Sequence, residues 1–183
     1  MQNVEYKAEL RDPALARVIC AQIGASLAAR LAQTDTYYKL ADGRLKKRSA
    51  ADLPTAGAGP AGAVGVALPD EYIFYARENV AKPRLSQFKI YTPSEALERF
   101  GRVDPGPAWI VVKKTREVWM FEHVRIHLDE VEGLGNFLEF EAMVSRQNGI
   151  EKCHEMVAKL RADLLPALGE PISTSYSDLL ANA

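Results

Sequence analysis

The sequence predicts an α+β fold: about eight antiparallel strands that close, or nearly close, into a barrel, with helices packed against its outside. Three observations predict it. Many segments alternate apolar and polar residues with a period of two. Connections within the strand groups are of hairpin length, which favours antiparallel pairing. Between these groups lie stretches with helical spacing and recognisable start and stop residues.

The elements follow in order. In MQNVEYKAEL, Val4, Tyr6, Ala8 and Leu10 point one way and Asn3, Glu5, Lys7 and Glu9 the other, giving a strand over 2–10. Asp12 caps a helix that Pro13 opens, with Leu15, Val18, Ile19 and Ile23 as its apolar stripe, interrupted by Gln22, and Gly24 near its end. DTYYKL and GRLKKRS read as two short strands joined by the turn Ala41-Asp42-Gly43. Residues 50–70 are Ala, Gly and Pro with almost no charge, which reads as a flexible loop. Strands resume at EYIFYAR and RLSQFKIY, and Thr92-Pro93 caps a second helix with Ala96, Leu97 and Phe100 on one face. After the turn-rich DPGP come three more strands, AWIVVKKTREVWMFE, VRIHLDEV and NFLEFEAMV. A last helix is expected from about 147 to 168, with Ile150, Cys153, Val157, Leu160 and Leu164 inward and Gly169 as its stop; SYSDLL closes the chain. At 183 residues this is a single domain, 1–183, whose segment 147–183 packs on the barrel.

Composition narrows the function classes. The chain is 48% hydrophobic and 26% charged with a formal net charge of -1, so a basic site must come from local clustering and bulk attraction to nucleic acid is not expected. The run Lys46-Lys47-Arg48 lacks a second basic patch with interleaved aromatics. Cys20 and Cys153 form no CxxC pair and read as two buried thiols. No apolar run approaches the roughly 20 residues of a membrane span, and the N-terminus enters a strand at once, so the expectation is a cytoplasmic protein with no membrane partner.

The chemistry is in the charged faces. Glu5 and Lys7 share a face, as do Lys46 and Arg48, Lys114 and Arg116, Arg125, His127 and Asp129, and Glu139 and Glu141. Arg77 lies with Tyr75, and Lys89 with Gln87 and Tyr91. The wet side of an open, half-buried sheet alternates in the same way. Two features favour an enclosed lumen. The opposite faces, such as Val4/Tyr6/Ala8 and Val124/Ile126/Leu128, are apolar enough to pack on helices, so the charged faces look at one another. The charges also segregate: central strands give Lys and Arg, the first and last give carboxylates. Buried unpaired charges are strongly penalised, so such a lumen makes sense around water and a charged ligand. A triphosphate suits the cations, and a divalent ion on its oxygens suits Glu139, Glu141 and Glu5.

At this point the residues resemble the CYTH superfamily of triphosphate-tunnel metalloenzymes. NVEYKAEL looks like its N-terminal E-x-E-x-K strand. LKKR, KKTREVW, RIHLDEVEGLGNFLEFE and SYSDLL are similar to the class IV adenylate cyclase branch, and 125–141 is the most specific stretch. The resemblance implies an eight-stranded antiparallel tunnel with flanking helices, Mg²⁺ or Mn²⁺ on Glu5, Glu139 and Glu141, and phosphate contacts from Lys7, Lys46, Arg48, Arg77, Lys114 and Arg116. Lys89 and Arg125 follow by strand position. Catalytic work falls to Lys7, Arg116 and Asp129. The first Glu of the motif is Asn3 here, a neutral oxygen that leaves the metal site one negative charge short. The implied activity is class IV adenylate cyclase-like, ATP to cyclic AMP and pyrophosphate. The alternatives are an inorganic or organic triphosphatase of the same fold and a non-catalytic polyphosphate or nucleotide binding module. The resemblance is compatible with a homodimer. His127 reads as a lining residue, Trp109 and Trp119 as barrel wall, and Tyr37, Tyr38, Tyr75 and Phe88 as packing or base-stacking residues.

Overall fold

The computed structural model describes residues 1–40, 43–54, 65–100 and 106–183; the side chains of Leu40, Arg77 and Phe100 lie outside the described set. The elements are β1 (Gln2–Leu10), α1 (Pro13–Gln22), β2 (Ser26–Leu40), β3 (Gly43–Asp52), β4 (Val66–Ala67), β5 (Glu71–Arg77), β6 (Arg84–Tyr91), α2 (Pro93–Phe100), β7 (Ile110–Phe121), β8 (Val124–Val131), β9 (Gly135–Met143), α3 (Ile150–Leu164), β10 (Leu168–Pro171) and α4 (Tyr176–Ala181). A 3-10 turn, Leu165–Ala167, joins α3 to β10.

Neighbours run β1-β6-β5-β3-β2-β7-β8-β9, and β9 pairs back onto β1, so eight strands close an antiparallel barrel. β4 and β10 are appended to β3 and β1. Closure removes every open edge from these eight strands. It also turns the two-residue alternation of each strand into an inside and an outside.

The core lies outside the barrel, as the apolar faces require. Val4, Tyr6, Ala8 and Leu10 of β1, Val124, Ile126 and Leu128 of β8, and Leu138, Phe140 and Ala142 of β9 pack against Cys153, Val157, Leu160 and Leu164 of α3 and Ala16, Ile19 and Cys20 of α1. Both cysteines are free and buried there. Burial pushes the Cys20 thiol up to about 12, which leaves it inert. A smaller cluster, Leu45, Tyr72, Tyr91 and Ala96, seats α2 on the other side.

Four local expectations change. The buried face of α1 is Ala16, Ile19 and Cys20, with Leu15 and Ile23 partly buried beside it, while Val18 is 51% exposed. The helix ends at Gln22, where the N–H of Ala25 reaches Cys20 O and that of Gly24 reaches Ala21 O. This Schellman closure needs the left-handed backbone of Gly24, φ 85°. β2 begins at Ser26, well before Asp35, because SLAARLAQT carries helix-forming residues while its strand is fixed by pairing along β7 and β3. α3 stops at Leu164, since Pro166 has no N–H to continue the ladder and the Leu165 N–H turns to Ala162 O, and the chain then pairs β10 with β1 beyond the stretch that β6 occupies. In the 50–70 loop, β3 extends to Asp52 and β4 pairs with it; residues 55–64, like the turn at 41–42, lie outside the described residues.

Candidate active site in the barrel lumen

The lumen is a two-dimensional array fixed by register. Glu5 is opposite Arg84 on one side and Glu141 on the other. Lys7 is opposite Glu139, which is opposite His127. Arg125 is opposite Glu141, and Asp129 is opposite Arg116. Asp35 is opposite Arg48. Side chains of both signs therefore come to adjacent positions.

One cavity of about 270 Å³ gathers Lys7, Glu5, Lys46, Arg48, Lys114, Arg116, Arg125, Glu139 and Glu141 from the sequence-predicted set. Asp129 stands behind it, fully buried, and accepts both arms of Arg116 at 2.6 Å each and the Tyr176 hydroxyl at 2.8 Å. Lys89 does not join them. The inward residues of β6 are Ser86, Phe88 and Ile90; Lys89 is exposed on the other face, its Nζ 4.6 Å from the Tyr91 ring. Arg77 belongs to β5, with its side chain outside the described set.

Carboxylates hold the cations apart. Asp35 takes Arg48 through two bonds at 2.7 and 3.0 Å, Lys114 at 2.7 Å and Lys46 at 3.3 Å. Burial pushes its carboxyl up, but Arg48, Lys114 and Lys46 outweigh this and hold it well below the usual range. Glu139 lies 3.4 Å from Lys7, 3.1 Å from Arg116 and 3.7 Å from His127. Against the opposing effect of burial, Lys7 and its other cationic neighbours hold Glu139 well below its ordinary value. Glu5 receives Arg84 Nε at 2.9 Å. Glu141 meets Arg125 at 3.8 Å.

The cations are the crowded partners. Burial, then the neighbouring Arg48, lowers Lys46 to about 7, although Asp35 works in the other direction. Lys114 falls to about 8, again chiefly through burial, with Arg48 and Arg116 adding to it. Both lysines share the Asp35 carboxylate with Arg48.

One end is stopped. α4 starts with a capping box, Ser175 and Asp178 bonding reciprocally, and Arg44 donates to both. This seats Tyr176 in the barrel end among Tyr37, Val112, Val131 and Phe137. Lys7 Nζ lies 4.0 Å and Lys114 Nζ 5.8 Å from the centroid of its ring. At the other end Arg125 is half exposed, and Glu71, Ile90 and Glu141 stand with it. Across from the charged wall, Ile73 and Tyr75 of β5 and Phe88 and Ile90 of β6 form an apolar one.

Asp35, Arg84 and Tyr176 escaped sequence reasoning. Asp35 alternates with Tyr37 and Gln33, a signal that becomes visible once β2 is read from its true start. Arg84 shares the inward face of β6 with Ser86, Phe88 and Ile90, a face hidden while Lys89 is read as pointing inward; Tyr176 reaches the barrel end through tertiary contacts, which no local pattern records.

An antiparallel eight-stranded barrel with its core outside and ionisable side chains converging inside defines the triphosphate-tunnel class. Residues 68–174 match the CYTH domain model, more than half of the chain, and the chain belongs to the CYTH domain family. No curated protein sequence matches it. Among solved structures, PH1819 of Pyrococcus horikoshii OT3 is 22% identical with a TM-score of 0.64, covering 98% of each chain. A proposed adenylate cyclase from Vibrio parahaemolyticus is 18% identical with a TM-score of 0.63, over 98% of this chain and 97% of that one. The Schizosaccharomyces pombe Pct1 RNA triphosphatase is 12% identical with a TM-score of 0.50, over 95% and 87%. At these identities the likeness is one of fold. No helix among the described residues is long and apolar enough to cross a membrane.

Proposed function

We propose that this protein performs divalent-cation-dependent phosphoryl chemistry on a triphosphate held inside the barrel, with ATP as substrate and cyclic AMP and pyrophosphate as products. The observation that carries the reading is the cationic wall: Lys7, Lys46, Arg48, Lys114, Arg116 and Arg125 converge from four strands on one cavity. Internal carboxylates are shared among them: Asp35 alone serves Arg48, Lys114 and Lys46. A linear polyanion complements such a wall. The cavity is near the lower end of small-ligand pockets, about 300 Å³, which matches a small molecule and not a macromolecule.

Roles follow from position. Lys7 and Lys114, over the Tyr176 ring, receive the inner end of the phosphate chain. Lys46 and Arg48 take its middle, and Arg125 the end nearer the mouth. Arg116 and Lys7 neutralise charge on the departing pyrophosphate, while Asp129 fixes the fork of Arg116. The apolar wall of Ile73, Tyr75, Phe88 and Ile90 accommodates the nucleoside. The ribose 3′-oxygen bonds to the α-phosphorus and its proton passes to water, as the bond from the α-phosphorus to the bridging oxygen breaks and pyrophosphate leaves.

Glu139 and Glu141 fit a divalent cation. They project from one strand two residues apart, and a buried acceptor without a hydrogen-bond partner, Asn3 Oδ1, lines the same cavity. They would hold Mg²⁺ or Mn²⁺, which when bound screens the phosphate oxygens and orients the chain.

The second reading is hydrolysis of an inorganic or organic triphosphate, with water as the attacking group in the same cage. The stopped end under Lys7 favours it, since a terminal phosphate seats there with no need of a base at the mouth. One assay separates them: purified protein against ATP, tripolyphosphate and thiamine triphosphate with each metal, scoring cyclic AMP and orthophosphate independently. Metal-dependent cyclic AMP supports the cyclase, and orthophosphate the hydrolase. Phosphate-ligand binding indifferent to EDTA, with no turnover of any of the three, overturns both in favour of a binding module.

A further inference from the structure

We propose that His127 is the third protein ligand of a single divalent cation held with Glu139 and Glu141, and that its imidazole nitrogen tilts this site towards manganese over magnesium. The inference rests on the reading that a cation works on the triphosphate in this lumen.

Geometry comes first. One nitrogen of His127 and one oxygen each of Glu139 and Glu141 all lie within 4.8 Å of one another. That is close to the ~4.2 Å that two opposite bonds of ~2.1 Å span. The three residues sit on adjacent strands, His127 directly opposite Glu139, so the backbone ladder holds the set together.

An independent observation points to a ligand. His127 is 3% exposed, and its Nδ1 has no hydrogen-bond partner. Its near neighbour, Glu139 Oε2, is 3.7 Å away, beyond hydrogen-bond reach. Buried imidazole nitrogens are ordinarily satisfied, and a cation accounts for this one.

Glu5, the carboxylate expected to complete the set, falls outside the 4.8 Å group of His127, Glu139 and Glu141. Arg84 Nε holds it at 2.9 Å, and Arg84 Nη1 is tied to the carbonyls of Val80 and Ser173. Its guanidinium is thereby fixed beside Glu5. Asn3, the remaining lumen residue of β1 near it, offers only a neutral oxygen. Two carboxylates and an imidazole therefore make up the set. Magnesium favours all-oxygen shells and keeps its waters, whereas imidazole suits later first-row ions.

The test is Mn²⁺ added to the purified full-length chain, followed by continuous-wave EPR for stoichiometry and pulsed EPR for nitrogen coupling. The expected result is one Mn²⁺ per chain with ¹⁴N coupling that becomes ¹⁵N coupling when histidine is labelled. In His127→Gln the coupling disappears and Mn²⁺ affinity falls by about 10- to 100-fold. Should that variant not fold, the labelled wild-type spectrum decides alone. Bound Mn²⁺ with no histidine coupling overturns the inference and leaves Glu139 and Glu141 as holders of the cation. No Mn²⁺ binding, with or without tripolyphosphate, overturns the cation reading as well.

Discussion

At the scale of single residues, the lumen cations share carboxylates that would be costly to strand. Arg116→Ala would leave Asp129 buried with the Tyr176 hydroxyl still donating to it, and a buried charge stripped of its partner costs about 3–5 kcal/mol. We expect that loss in a urea denaturation series. Arg116→Lys keeps the charge but not the fork, so it should fold nearly as well and raise KM about tenfold; unchanged kinetics would remove Arg116 from the site. Glu139→Ala and Glu141→Ala should each cut metal-dependent turnover by about 10²–10³, with full turnover in both variants refuting the metal assignment. The pairs at two-residue spacing, Lys46/Arg48, Lys114/Arg116 and Glu139/Glu141, are legible in sequence because strand geometry alone puts them on one face. Lys89 shows the limit. Gln87, Lys89 and Tyr91 do share a face of β6, but it is the outer one, and alternation alone does not say which face looks inward.

At the scale of elements, α4 shows how much a short segment can do. Six residues, Tyr176–Ala181, are held by a capping box at Ser175 and by Arg44 from β3. Ser175→Ala should fray this helix and cost about 1 kcal/mol. Its thermal unfolding would begin earlier when followed by Tyr176 fluorescence in a variant lacking the other lumen tyrosines; an unshifted transition would show that Arg44 and Asp178 suffice. Helix starts at Asp12-Pro13 and Thr92-Pro93 were readable because caps are local chemistry. The part of β2 before Asp35 and all of β10 were not, since pairing with β7, β3 and β1 imposes them on sequences with no strand signature of their own.

At the scale of the whole molecule, the crowding of cations links folding, pH and ligand. Lys46 at about 7 and Lys114 at about 8 both lie below their ordinary 10.5. Between roughly pH 7 and 10 the unfolded chain therefore binds more protons than the folded one, and stability rises with pH across that window. Below it, both lysines are charged in both states and the full cost of burying them remains. The melting temperature of the ligand-free protein should climb from pH 6.5 to 9 and fall again above about 10, where buried Tyr37 and Tyr176, held neutral, reverse the sign. Tripolyphosphate should bring proton uptake near pH 7.5, measured by calorimetry in buffers of different ionisation enthalpy; no uptake would place the phosphates away from these lysines. Closure itself was legible because apolar outer faces and ionisable inner faces recur on strand after strand. The neutralising pattern inside depends on register across the seam and was not.

The tyrosine plug also dictates traffic. For the proposed triphosphate, a fragment released beside Glu141 and Arg125 would leave ahead of one lodged beneath Lys7, against the Tyr176 ring, and a polyphosphate longer than the barrel would protrude at the Arg125 end.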